Sequence, residues 1–120
     1  MKMINVKKIA PIPEGSCRFK IESAKTETKG VETKVVVRLT VTYEADGETK
    51  SRPLVQKYFT EFFEGSAFSL LIAYLNDGVL PDDLGNFDID RLVGLTGEGI
   101  IKHRDYNGGT FENMEIISID

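Results

Sequence analysis

Residues 32–44 read Glu-Thr-Lys-Val-Val-Val-Arg-Leu-Thr-Val-Thr-Tyr-Glu, and no other stretch of the chain constrains the fold as tightly. Val35, Val37, Leu39, Val41 and Tyr43 fall on one side of an extended backbone, and Lys34, Val36, Arg38, Thr40 and Thr42 on the other. This period-two alternation, rich in β-branched residues, predicts a strand with one buried face. A dozen residues at ~3.3 Å each span roughly 40 Å, longer than a typical strand. A strand of that length bends or serves two parts of a sheet, so the chain is expected to build a curled β structure around it.

The flanking segments fit that plan. Pro11, Pro13 and Gly15 make residues 1–15 an extended arm, and a single domain is expected over 16–120. From Ser16, the residues Cys17, Phe19 and Ile21 alternate with Arg18, Lys20 and Glu22 as a first strand, which Thr26–Gly30 is expected to break as a loop. Asp46-Gly47 suits a tight hairpin turn. Lys50–Phe59 is expected as the third strand, at an edge or bulge because Pro53 lacks a ladder donor. Ser66 is a suitable N-cap for a helix carrying Phe68, Leu71, Ile72 and Leu75 on one face, with Gly78 at its C-terminal end. Residues 81–90 read as an acidic connector. Leu92–His103 and Thr110–Ile119 read as two further strands, joined at Asn107-Gly108, a preferred hairpin pair. Gly97 and Gly99 suggest a bulge or a close backbone approach that lets the sheet curl.

The element order is strand, long strand, strand, helix, strand, strand. That is the order of a five-stranded OB-fold barrel, all-β with one helix. An α+β sheet with one packed helix and a small sandwich are its rivals.

Several chemistries are disfavoured. His103 is the sole imidazole, so Ser/His/Asp, Cys/His and His-metal sites all depend on it. Flanked by Lys102 and Arg104, it is more naturally part of a cationic surface. Cys17 shares a strand face with Phe19 and Ile21 and reads as a core thiol. The spacing of Asp82, Asp83, Asp88 and Asp90 matches no EF-hand loop. Gly108-Gly109 lacks the spacing of a phosphate loop and opens no helix. No enzyme activity, metal or cofactor is expected. No apolar run approaches the ~18 residues of a membrane span. The first residues lack a secretory apolar segment, and a cytoplasmic protein is expected.

Net charge is −4, which by itself argues against a nucleic-acid partner. Its distribution does not. Residues 1–57 hold 12 Lys and Arg against 7 Asp and Glu, whereas residues 58–120 hold 3 against 12. Charges farther apart than about 8–10 Å are screened at physiological salt, so a basic face can act beside an acidic one. In an OB-fold the binding face comes from strands 2 and 3, framed by the loops between strands 1 and 2 and between strands 4 and 5. On this chain those places hold Lys34 and Arg38, with Val36 between them, then Arg52, Lys57 and Tyr58. The first loop contributes Lys25 and Lys29, and the second Lys102, Arg104 and Tyr106. Cations interleaved with aromatics suit a single strand, whose backbone is anionic and whose bases stack. Phe59, Phe62 and Phe63 are expected in the core or against the helix.

Two stretches carry a resemblance. Residues 13–41, Pro-Glu-Gly-Ser-Cys through Leu-Thr-Val, resemble the opening of a group of small phage proteins, with a Pro/Gly entry, a short strand, a Lys/Gly loop and a long strand. Residues 91–119 are similar to the closing hairpin of that group, with Leu92-Val93-Gly94 where strand 4 starts and Gly109, Phe111, Asn113 and Ile116 along strand 5. The group is the phage single-stranded DNA-binding proteins of OB-fold type, carried in replication and recombination modules. The resemblance implies a non-catalytic protein that coats single-stranded DNA with little sequence preference in the host cytoplasm. Expected partners are single-stranded DNA and a recombinase, nuclease or other replication protein, with self-association left open and no membrane. The alternative is a small phage interaction module, or an inhibitor of a host nuclease or defence protein, acting through the acidic 61–90 region.

Overall fold

In a computed structural model of the chain, the long strand runs from Glu32 to Ala45 (β2) and pairs along its length with a neighbour on each side. The structure describes residues 1–6, 10–60, 67–75 and 88–120, with the backbone alone at Ala67, Leu70, Tyr74 and Tyr106. The other strands are Gly15–Lys29 (β1), Glu48–Phe59 (β3), Thr96–Tyr106 (β4) and Gly109–Ile119 (β5). One helix, Ala67–Leu75 (α1), lies between β3 and β4 in sequence. All five strands form a single antiparallel sheet in the order β3-β2-β1-β4-β5. Among the described residues the protein is therefore all-β with one α-helix, in the element order of an OB-like barrel.

Alternation puts the inward side chains of β2, namely Val35, Val37, Leu39, Val41 and Tyr43, into one core with Phe19 and Ile21 of β1. Ile101 and Met114 join from β4 and β5. The Phe68, Leu71 and Ile72 face of α1 is buried against this core, with Leu75 at its margin, as the helical spacing predicts. Fully burying such a side chain contributes about 1.5–3 kcal/mol. Ser66 and Gly78, the expected caps, lie outside the described residues.

The sheet curls at two irregularities. In β1 the register slips between Ile21 and Ser23, leaving Glu22 as the extra residue. Before the slip, β1 pairs with both β2 and β4; after it, with β2 alone. In β5 the register slips opposite Glu98 and Gly99, where Ile117 is extra. The expected close approach at Gly97 and Gly99 is present. A Cβ on Gly97 would sit 2.1 Å from the Ser118 carbonyl oxygen, and one on Gly99 would sit 2.9 Å from Met114 Sδ. The two hairpin turns expected from the sequence are present: Asp46-Gly47 and Asn107-Gly108 all have positive φ.

Some expectations fail. Thr26–Gly30 is not a loop, because β1 continues to Lys29, with Thr26–Lys29 paired residue by residue with Glu32–Val35. A two-residue turn at Gly30-Val31 suffices, and the polar residues read as a loop belong to a ribbon whose faces are largely solvated. Likewise β4 starts at Thr96 rather than Leu92. Ile89–Leu92 forms a 3-10 turn whose N-terminus is capped by the Asp88 carboxylate, accepting from the Asp90 N–H at 3.0 Å. Leu92 is buried by that turn. Gly94, at φ 89°, then donates its N–H to the Ile21 carbonyl, bringing the chain alongside β1 before β4 begins.

The outer strands β3 and β5 share no backbone ladder among the described residues. A side chain bridges them. The Gln56 amide donates to the Met114 carbonyl at 3.0 Å, and its oxygen accepts from the Met114 N–H at 2.8 Å. One carboxamide thus satisfies both backbone groups of one residue, as a neighbouring strand would. Arg52 lies 3.8 Å from Glu112 along the same seam. The arm does not simply lead in: Ile12 is fully buried and belongs to the core. The arm contacts Arg52, His103 and Glu112, whereas α1 lies at the other end of β3, where Phe68 stacks on Tyr58.

No helix of the described residues is long and apolar enough to cross a membrane.

Candidate functional site

The strand register decides which cations share a surface. On β2 the outward residues are Lys34, Val36 and Arg38. Their partners on β1 are Glu27, Lys25 and Ser23, and on β3 Phe59, Lys57 and Val55. Lys25, Lys34, Arg38 and Lys57 therefore lie on one outer face across three adjacent strands, with Lys29 at the hairpin end of β1. Val36 lies at their centre and is only 7% exposed, although it stands outside the interior core.

This face continues across the seam. Val55 and Lys57 form one wall of an open groove of about 510 Å³, and Lys102, Arg104, Asn113 and Glu115 form the other. The bridging Gln56 and its partner Met114 also line it. The structure thus brings Lys25, Lys34, Arg38, Lys57, Lys102 and Arg104 into a continuous strip around β1–β2–β3 and over to the β4–β5 hairpin.

Charge pairing within the strip is uneven. Lys57 lies 3.2 Å from Glu27, Lys34 lies 3.9 Å from Glu32, and Lys102 lies 2.6 Å from Glu115. Exposed pairs of this kind contribute about 0–1 kcal/mol, so an incoming anion can displace the carboxylate at little cost. Among the described residues, Lys25, Lys29, Arg38 and Arg104 have no carboxylate partner.

Two of the expected site residues have other work. Arg52 has the inward parity of Leu54 and Gln56, donates to the Ala10 carbonyl at 2.5 Å and approaches Glu112. It ties the arm to the seam rather than facing outward. Tyr58 is 7% exposed, stacks on Phe68 with ring centroids 6.0 Å apart, and accepts from the Gln56 amide at 3.0 Å. Burial raises its pKa, and the Gln56 hydrogen bond partly offsets the rise. It is a core ring, not a stacking platform. The side chain of Tyr106 lies outside the described residues, as do Phe62 and Phe63.

Among the described residues, the exposed aromatics are Phe59 and Phe111, each 56% exposed. Phe59, expected in the core, sits on the outer face with Lys34 Nζ 4.9 Å from its ring centroid. Phe111 is the cross-strand partner of Arg104. The placement of Phe59 was legible from parity: it shares the phase of Val55 and Lys57, whereas Tyr58 shares that of Leu54 and Gln56.

The chemistry expected to be absent can be placed too. His103 is half-buried, and its Nε2 donates to the Ile12 carbonyl at 2.5 Å, so it braces the arm instead of sharing the exposed face of Lys102 and Arg104. Cys17 is buried in the core, and burial raises its pKa. Of the acidic 61–90 region, residues 61–66 and 76–87 lie outside the described residues; Asp88 caps the 3-10 turn.

A scan against models of known protein families finds no match, and a search of curated proteins finds none either.

Proposed function

We propose that the protein binds single-stranded DNA without catalysis and with little sequence preference. One observation carries this reading: the strand register aligns Lys25, Lys34, Arg38 and Lys57 on one outer face and continues them, across the seam, to Lys102 and Arg104. Cations at strand spacing along a groove can follow a phosphate backbone. Phe59 and Phe111, each beside a cation, offer flat apolar faces on which bases can stack, at about 1–3 kcal/mol per base. Such a surface suits a flexible strand, whose bases are free to turn inward, better than a duplex. The resemblance to phage single-strand-binding proteins points the same way, towards a role in replication or recombination in the cytoplasm of a host cell.

Charge reversal tests the assignment. Lys34→Glu with Arg38→Glu should abolish binding to labelled oligo-dT at low salt, measured by fluorescence anisotropy. Lys50→Glu, at the opposite hairpin where Lys50 pairs with Asp46, should leave it near wild type. Equal loss in both variants would point to net charge rather than to this face.

A further inference from the structure

β4 pairs with β1 only as far as Ile101, opposite Gly15. Beyond that point residues 102–113 continue as a two-stranded hairpin, with no third strand beside it among the described residues. Two-stranded hairpins are marginal in water on their own. This one carries Lys102 and Arg104 at the groove and Phe111 on its outer side. Whatever holds the hairpin still also holds them.

The N-terminal arm crosses its base. The Ile12 N–H donates to Glu112 Oε1 on β5 at 2.5 Å, and the Ile12 carbonyl accepts from His103 Nε2 on β4 at 2.5 Å. His103 and Glu112 are direct cross-strand partners, so one buried residue of the arm is bonded to both strands at one rung. Arg52 of β3 reaches the same rung, donating to the Ala10 carbonyl and lying 3.8 Å from Glu112. Glu14 adds a carboxylate 3.8 Å from His103 Nδ1. The hairpin is thereby tied, through the arm, to the opposite wall of the groove.

We propose that His103 and Glu112 are positioning residues of the binding face, clamping Ile12 across the hairpin base so that Lys102 and Arg104 are held at the groove before ligand arrives. The proposal rests on the single-strand-binding reading above. A hairpin ordered in advance does not have to be ordered at the moment of binding, so its contacts count in full.

The test compares the wild-type chain with His103→Ala/Glu112→Ala and with Glu112→Gln, which keeps an oxygen acceptor for the Ile12 N–H. Hydrogen exchange is followed in residues 102–113 and, as a reference, in β2. Oligo-dT affinity is measured with and without Arg104→Ala in each background. In the double variant the hairpin amides should exchange about ten-fold faster while β2 is unchanged, in line with local opening of a weakly held element. Glu112→Gln should retain hairpin protection. The affinity loss from Arg104→Ala should shrink by about three-fold or more once the clamp is released, the coupling expected of residues acting through one another.

Unchanged hairpin exchange, or an Arg104→Ala loss equal in both backgrounds, would overturn the proposal. Should the double variant fail to fold, Glu112→Ala against Glu112→Gln decides: faster hairpin exchange in the Ala variant alone supports the clamp, and equal exchange refutes it. A wild-type chain that binds no oligo-dT overturns the underlying functional reading, a failure visible without any variant.

Discussion

At Gln56 a buried carboxamide meets both backbone groups of Met114 and the Tyr58 hydroxyl, joining two strands that share no ladder. Replacing it with Leu would leave the Met114 N–H and carbonyl buried and unpaired, at a cost on the order of 1–3 kcal/mol for each group. Gln56→Leu should therefore lower the denaturant midpoint markedly, whereas Val55→Ala, half-exposed beside it, should change it little. Gly97 is a second demanding position, since any Cβ would collide with the Ser118 carbonyl. Gly97→Ala should destabilise by about 1–3 kcal/mol or more, the cost of forced overpacking. Buried acids add a pH signature. Burial holds Cys17 and Tyr58 above their ordinary values of 9.0 and 10.0. Both are protonated in the folded and unfolded chain at neutral pH, and as pH rises past these values the unfolded chain loses its protons first. Stability is then lost as pH climbs through the folded-state values. Cys17→Ala should flatten the first part of that alkaline decline in urea titrations above pH 9. The special role of Gln56 was not legible in the sequence, where a polar residue inside an alternating strand looks like an interruption. The need for Gly97 and Gly99 was legible, because two glycines within a strand pattern signal close approach.

Among the elements, strands declared themselves through alternation, and turns through Asp46-Gly47 and Asn107-Gly108. What went unread depended on partners far along the chain. Thr26–Lys29 looked like a loop because neither face is strongly apolar, yet pairing with Glu32–Val35 keeps it extended. Leu92 looked like the start of a strand because an apolar residue says nothing of the 3-10 turn that buries it. The aromatic pair Tyr58-Phe59 shows how much parity decides: one residue of phase exchanges a core ring for a solvent-facing one. The consequences separate in experiment. Tyr58→Ala should cost about 3–5 kcal/mol of stability, as large aromatic truncations in a core do. Phe59→Ala should leave the unfolding midpoint nearly unchanged and weaken oligo-dT binding by about 1–3 kcal/mol if one base stacks there. Calorimetry and anisotropy on the same two variants would distinguish them, and a reversed pattern would remove Phe59 from the binding face.

For the whole molecule, the proposed binding of a polyanion by an acidic chain depends on the three-dimensional distribution of its charge. The basic excess of residues 1–57 was plain in the sequence, but its focus was not. Arg18 is engaged by Glu98 and Asp120, Lys50 by Asp46 and Arg52 by the arm, so less than the full excess faces the groove. Anisotropy of labelled oligo-dT across a salt series measures what remains. Micromolar or tighter binding is expected at low salt, with log K falling linearly against log salt at a slope of about −3 for four phosphate contacts. Absence of binding by micromolar protein at low salt, or affinity that does not change with salt, would contradict it.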